Sequence, residues 1–130
     1  MNFYLADTHA LFWYLTNSSL LGANASAAFD EADAGLAQIY IPAIVMAELY
    51  YLNEKKGKLL DFAVVFSRIN SSGQFIFLPF HANDTLDFDA CSAVPEMHDR
   101  RIVADAYRLG VPCLTKDNSI THSGLVTVVW

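Results

Sequence analysis

The chain is expected to be an α/β protein built on a parallel sheet with helices over both faces. Short apolar runs of strand length recur along it without the polar alternation of a solvated face. Helix-period segments separate those runs, and Gly, Pro and Ser-rich breaks fall between the two kinds of segment. Strands buried on both sides read as continuous apolar runs, and strands alternating with helices are the signature of parallel crossover units.

The first run, Asn2 to Ala6 (NFYLA), ends at Asp7 and has the length of a buried strand. Residues 8–15 and 23–34 follow as helices, the second opening near Asn24 and rich in Ala. Residues 38–41 (QIYI) make a second strand, closed by Pro42. Pro42 stands at or just before the first turn of a helix running from Ala43 to about Lys56. After Gly57 the string LLDFAVVFSRI reads as another helix, broken by Ser71-Ser72-Gly73. Gln74 to Leu78 (QFIFL) is a third strand, and residues 83–93 are a further helix candidate. Asp99 to Leu109 is a punctuated helix with Gly110 and Pro112 as stop signals. Pro112 to Thr115 and Val126 to Val129 complete the set as fourth and fifth strands.

The 130 residues suit one domain over positions 1–130, with no repeat, low-complexity tract or separating linker. Hydrophobic residues make up 54% and charged residues 17%, which excludes a disordered chain. The surplus of apolar residues is expected to cover a partner or a second copy of the chain. No apolar stretch reaches the roughly 18 residues of a membrane span. The start, MNFYLADTHALF, lacks a basic leader region, and Asp7 falls where a signal peptide would be apolar. Cys91 and Cys113 are too few and too far apart for a metal or disulfide framework, so the expected location is the reducing cytoplasm. A net charge of −6 argues against broad electrostatic capture of nucleic acid. It leaves room for a nuclease whose carboxylates hold metal ions. Lys55, Lys56 and Lys58, with Arg100 and Arg101, are the clusters from which a local basic rim would be built.

Four carboxylates then stand out. Glu48 is the only charge in IYIPAIVMAELYYL, residues 39–52. An unpaired carboxylate removed from water costs several kcal/mol, roughly, unless something pairs or coordinates it. On a helix it shares a face with Ile44, Val45, Tyr51 and Leu52, so that face is expected to be buried with Glu48 turned inward or into a cleft. The plainer alternative is a structural Glu that caps a backbone group or pairs with an Arg. Asp7 and Asp117 each follow a strand, at the sheet edge where ligands gather in open α/β folds. Each also has an ordinary use, Asp7 as a helix N-cap and Asp117 in a Lys-Asp-Asn-Ser turn. Thr115 and Asn118 flank Asp117 with groups that could orient a carboxylate or hold a water. Asp99 opens its helix as an N-cap candidate, and Ile102, Val103 and Ala106 place it at the end of the buried stripe. Asp105 lies at ion-pair spacing from Arg101 and Arg108 and reads as a solvated surface residue. Carboxylates gathered without counter-charges repel unless a cation enters, and a divalent oxygen-liganded ion is the simplest solution.

The order Asp7, Glu48, Asp99, Asp117 resembles the acidic set of PIN-domain nucleases, especially the VapC-type toxin ribonucleases. LADTHALFWYL, IPAIVMAELYYL, HDRRIVADA and LTKDNSI carry the resemblance over nearly the whole chain. Each string is loose, and their combination supplies the specificity. His9 and Asp105 depart from the commoner residues at their positions, and the low basic content makes the grip on RNA less obvious. The resemblance implies a five-stranded parallel α/β/α sandwich and metal-dependent cleavage of RNA. It further implies a homodimer and, for toxin members, inhibition by a small antitoxin protein.

On that reading Asp7, Glu48 and Asp99 hold Mg²⁺ or Mn²⁺, and Asp117 completes that site or a weaker second one. Hydrolysis is then direct, by a metal-activated water in line with the phosphodiester. Thr8, His9, Arg100, Thr115 and Asn118 are candidates to support the acids or contact phosphate. His9 and His98 have a simpler reading as structural histidines, and Lys55 to Lys58 as a solvated helix end. A receiver-type signalling domain is the first rival, but Asp7 has no acidic neighbour and Pro79-Phe80-His81 follows the third strand. A phosphatase of the haloacid dehalogenase type would need an Asp where His9 stands. The non-catalytic rival is a PIN-like module kept for protein binding.

Overall fold

The computed structural model describes all residues, 1–130. A five-stranded sheet, every pairing parallel, runs through the centre with helices flanking it in a three-layer α/β/α arrangement. In chain order the elements are β1 (Asn2–Ala6), α1 (Thr8–Leu15), α2 (Ala23–Asp33), β2 (Ala37–Pro42), α3 (Ala43–Lys55), α4 (Phe62–Ser71) and β3 (Phe75–Leu78). Two 3₁₀ turns, Ala82–Asp87 and Asp89–Cys91, lead to α5 (Met97–Leu109), β4 (Cys113–Leu114), α6 (Asn118–Ser123) and β5 (Val128–Val129). The sheet order is β3-β2-β1-β4-β5. The chain thus builds outward from β1 on one side, then returns to build on the other. That reversal lies between β1 and β4, and it opens a crevice beyond their carboxyl ends.

The core explains the continuous apolar strands. Leu5 and Ala6, neighbours that point to opposite faces of β1, are both fully buried, as are Cys113 and Leu114 in β4. Ala10, Leu11 and Phe12 of α1, Ala28 and Phe29 of α2, and Val45 and Leu49 of α3 pack into the same core. Ile102 and Ala106 of α5 join it. A smaller cluster of Cys91, Val94, Val103, Ala104 and Ile120 fastens the 3₁₀ segment and α6 to α5.

Several elements differ from expectation. Residues 83–93 form two 3₁₀ turns rather than a helix. Local side-chain bonds compete with a regular helix there: Asp84 accepts from the His81 amide and the Thr85 hydroxyl donates to the Ala82 carbonyl, each at 2.7 Å. The helix after Gly57 starts only at Phe62, behind an Asp61 side chain that accepts from the Val64 amide at 3.3 Å. Helix α5 begins two residues before Asp99, because the Glu96 side chain takes the Asp99 amide at 2.7 Å and is the N-cap. Gly110, at φ 67°, closes that helix in a left-handed conformation that favours glycine. The Lys-Asp-Asn-Ser turn, residues 116–119, leads directly into an unexpected helix α6 over Asn118–Ser123.

Asp105 is a clear correction. Its spacing to Arg101 and Arg108 does produce ion pairs, but Asp105 and Arg101 are buried rather than solvated. The Arg101 guanidinium packs against the adjoining rings of Phe80 and Phe88, 5.2 and 5.7 Å from their centroids. It also donates to the Asp84 carbonyl at 2.9 Å. Residues 80–88 therefore cover a helix face that the α5 sequence alone presents as polar.

Candidate active site

The carboxyl ends of β1 and β4 meet at the crevice, where the Asp7 amide donates to the Leu114 carbonyl at 3.1 Å. One Asp7 oxygen caps α1 by accepting from the Ala10 amide at 2.8 Å, and the other accepts from the Thr115 hydroxyl. Asp117 caps α6 through the Ile120 amide at 2.9 Å, while its own amide donates to the Thr115 oxygen at 3.0 Å. Each acid therefore combines the ordinary N-cap role with the strand-end placement, Asp7 using a different oxygen for each of its two bonds. Thr115, fully buried, links the two acids.

Helices α3 and α5 bring the other two. Glu48 accepts from the Thr8 hydroxyl at 2.7 Å and has no cationic partner. Its face is less buried than expected. The inward residues of α3 are Val45, Met46, Leu49 and Asn53, whereas Tyr51 is 73% exposed. Glu48 thus sits on the shoulder of the helix, at the edge of a cleft rather than within the core. Asp99, in the first turn of α5, faces it half-buried across that cleft.

The cleft has a volume of about 760 Å³, and Asp7, Thr8, Glu48, Asp99, Asp117 and Asn118 all line it. Three further residues were not singled out from sequence. Glu96 caps α5 with one oxygen and holds His98 Nδ1 at 2.6 Å with the other, adding a fifth carboxylate to the lining. Lys116 is the one Lys or Arg in the lining, and Trp13 forms part of the wall. Of these, only the Lys-Asp pair at 116–117 carried a sequence signal, and it reads equally well as a turn.

Other expectations are corrected by position. Arg100 turns away, its guanidinium donating to the Val94 carbonyl at 2.6 Å and the Ser92 carbonyl at 3.5 Å. Arg101 is buried, and Lys58 pairs loosely with Glu54 at 3.8 Å. These two clusters therefore build no basic rim. His9 is exposed on the cleft wall against Trp13, and His98 is partly exposed beside Glu96, so neither is a core histidine.

The electrostatics follow from the crowding. Loss of water pushes the Asp99 carboxyl up to about 6, reinforced by the charges of Asp117, Glu96, Glu48 and Asp7. Burial raises Asp7 as well, against the opposing effect of its bonds from Thr115 and the Ala10 amide. For Glu96, burial is outweighed by hydrogen bonds from the Asp99 amide and His98, which hold the carboxyl low. The bond to Glu96 in turn raises His98. All-oxygen donors of this kind suit Mg²⁺ or Mn²⁺. In the side-chain arrangement here, however, no group of three stands close enough to hold an ion at once. The donor chemistry fits such an ion. Gathering the ligands around one ion would need side chains of the set to move closer together.

Residues 4–123 match the PIN domain family. The chain belongs to that family. No curated relative matches it in sequence. Among solved structures, this PIN domain is similar to VapBC2 from Rickettsia felis, bound to a DNA fragment from its promoter, with TM-score 0.69, 16% identity and coverage of 97% and 96% of the two chains. It is similar to VapC20 from Mycobacterium tuberculosis, a sarcin-ricin loop cleaving toxin, with TM-score 0.68, 16% identity and coverage of 98% and 99%. FitAcB from Neisseria gonorrhoeae gives TM-score 0.63 at 20% identity, covering 96% and 95%. At these identities the likeness speaks for the fold of the PIN domain, and the acidic cleft must speak for its chemistry.

Proposed function

We propose that this PIN domain is a metal-dependent endoribonuclease, the toxin of a toxin–antitoxin pair acting in the cytoplasm. One observation carries the reading. Asp7, Glu48, Asp99 and Asp117 converge on a single cleft at the sheet's switch point, and none is paired with a Lys or Arg. A group of four acids, two of them with raised pKa values, is poorly arranged for stability alone and well arranged for cation binding.

Asp7, Glu48 and Asp99 would hold Mg²⁺ or Mn²⁺, with Asp117 completing that site or a second one. A divalent cation in such a site supplies Lewis-acid activation of water and offsets charge on the phosphate. The protein's own part is positional. Thr115 fixes the orientation of Asp7 and the backbone at Asp117, and Thr8 holds Glu48 until the ligands gather. Water adds to phosphorus, one phosphorus–oxygen bond breaks, and the leaving oxygen takes a proton from solvent.

The toxin reading is supported by the VapC20 and VapBC2 likenesses. Exposed Tyr51, Leu59, Val64 and Phe66 offer apolar surface for a small antitoxin or a second copy of the chain. A non-catalytic protein-binding module is favoured only by the spread of the ligand set. Incubating the purified protein with RNA in Mg²⁺ or Mn²⁺ decides between the two. Cleavage should appear with metal and stop in EDTA. Asp7→Asn should lower the rate about 10²-fold or more, because the ion that activates the water is held less well. Cleavage that survives both EDTA and the substitution would overturn the metal mechanism.

A further inference from the structure

One wall of the cleft is built unlike the rest. Trp13 from α1 stands beside the acids, with the His9 ring 5.3 Å away and the Lys116 ammonium 4.8 Å over its indole. Lys116 directly precedes Asp117 and His9 lies two residues after Asp7, so this wall and the acidic centre share the same backbone turns. Lys116 is exposed and lines a cleft containing five carboxylates, yet it forms no salt bridge with any of them. It rests on the indole face instead.

Trp13 also packs against a second indole. Trp130 meets it edge-on, with centroids 5.8 Å apart and planes inclined at 61°. Trp130 in turn presses on Gly22, where an added Cβ would fall 2.6 Å from the Trp130 ring and 2.7 Å from its backbone carbon. The absence of a side chain at Gly22 is what lets the second indole seat there. An indole set against a second indole, with an exposed ammonium over its ring and acids alongside, matches the needs of a nucleotide. The base stacks on the indole, and the ammonium moves to the adjoining phosphate.

We infer that Trp13 and Lys116 form a nucleotide subsite, in which one base of the RNA stacks on Trp13 and its phosphate is held by Lys116. The inference rests on the ribonuclease reading and extends it, because it assigns the residues that grip substrate in an otherwise acidic cleft. His9 flanks the stacked base. Arg100, Arg101 and Lys58 have no part, since each is engaged elsewhere.

The test uses the Asp7→Asn protein, so that RNA binds without being cut, and a fluorescein-labelled ten-nucleotide RNA of mixed sequence in constant Mg²⁺. Trp13→Leu keeps an apolar body against the core but removes the stacking face, and should weaken binding about tenfold. Trp13→Phe should recover most of that loss. Lys116→Met should lower the dependence of log Kd on log salt by about 0.7, the share of one phosphate on a single strand. Gly22→Ala should displace Trp130 and weaken binding in the same direction as Trp13→Leu. Trp130→Phe leaves Trp13 as the sole tryptophan, whose emission should change with the same Kd as the anisotropy. Unaltered Trp13 emission at saturating RNA, or equal affinity of Trp13→Leu and Trp13→Phe, overturns the subsite while RNA binding itself leaves the ribonuclease reading intact. If the parent protein neither binds nor cleaves RNA, both fail together.

Discussion

Loss of water, reinforced by the neighbouring acids, raises the Asp99 carboxyl, and that shift has a definite sign for stability. In the unfolded chain it titrates near the ordinary value of 3.8, and in the fold at about 6. Between those values the native state binds more protons than the unfolded state, so stability rises as pH falls through this window. The penalty of the ionised form is fully present above about pH 6 and is gone below about pH 4. Asp7, also raised, contributes in the same direction. Thermal melts without divalent metal should therefore show Tm increasing from pH 8 toward pH 5.5. Asp99→Asn should remove part of that slope and raise Tm at pH 8 by a few degrees, roughly the scale of one relieved like-charge contact. A parallel pH profile in the substituted protein would show that Asp99 is not the group responsible. Asp7 and Asp117 were legible from sequence because a strand's end is a sequence feature. Glu48 was legible as a charge in an apolar run, though its place on the helix shoulder was not, since that depends on which neighbours α3 finds. Trp13 and Glu96 carried no sequence signal of their own, and Lys116 appeared only within a turn-forming string. Their shared cleft is created only by tertiary packing.

At the scale of elements, α5 shows how a correct local pattern can give a wrong environment. The i,i+4 spacing of Arg101 and Asp105 was visible, but the cover supplied by Phe80 and Phe88 comes from a segment whose 3₁₀ path the sequence did not disclose. The five strands and the main helices were readable because their apolar periods are long enough to average over single residues. β4 and β5 are shorter than their apolar runs because each keeps only two residues in register. The buried pair has a measurable consequence. Arg101→Met leaves Asp105 with only the partly exposed Arg108, which lies 3.2 Å away. Removing one partner of a buried pair costs about 3–5 kcal/mol. Chemical denaturation should show a loss in that range for Arg101→Met, and the double variant Arg101→Met/Asp105→Leu should regain most of it. A single variant as stable as the parent would mean that residues 80–88 do not seal this pair from water.

For the whole molecule, the charge of −6 and the position of the acids belong to one design. A chain this acidic is not built to collect RNA by bulk attraction, so the proposed ribonuclease would need a local grip and a centre made positive by a bound ion. The topology provides the place. With β1 central, the reversal of strand order puts Asp7 and Asp117 side by side, and α3 and α5 lower Glu48 and Asp99 toward them. A ligand that binds only the native state stabilises it by mass action, about 2.7 kcal/mol at a hundredfold excess over its Kd. Mn²⁺ or Mg²⁺ at that excess should raise Tm by about 10 °C in a domain of this size. NaCl at equal ionic strength should do far less, because screening relieves the repulsion without filling the site. EDTA should reverse the shift, and Asp7→Asn or Glu48→Gln should largely abolish it. The shift should also fade below about pH 6, where Asp99 takes up a proton and the cation must displace it. A Tm that responds equally to Na⁺ and Mn²⁺, in the parent and in the substituted proteins alike, would mean that the acids merely tolerate one another and the cleft holds no ion.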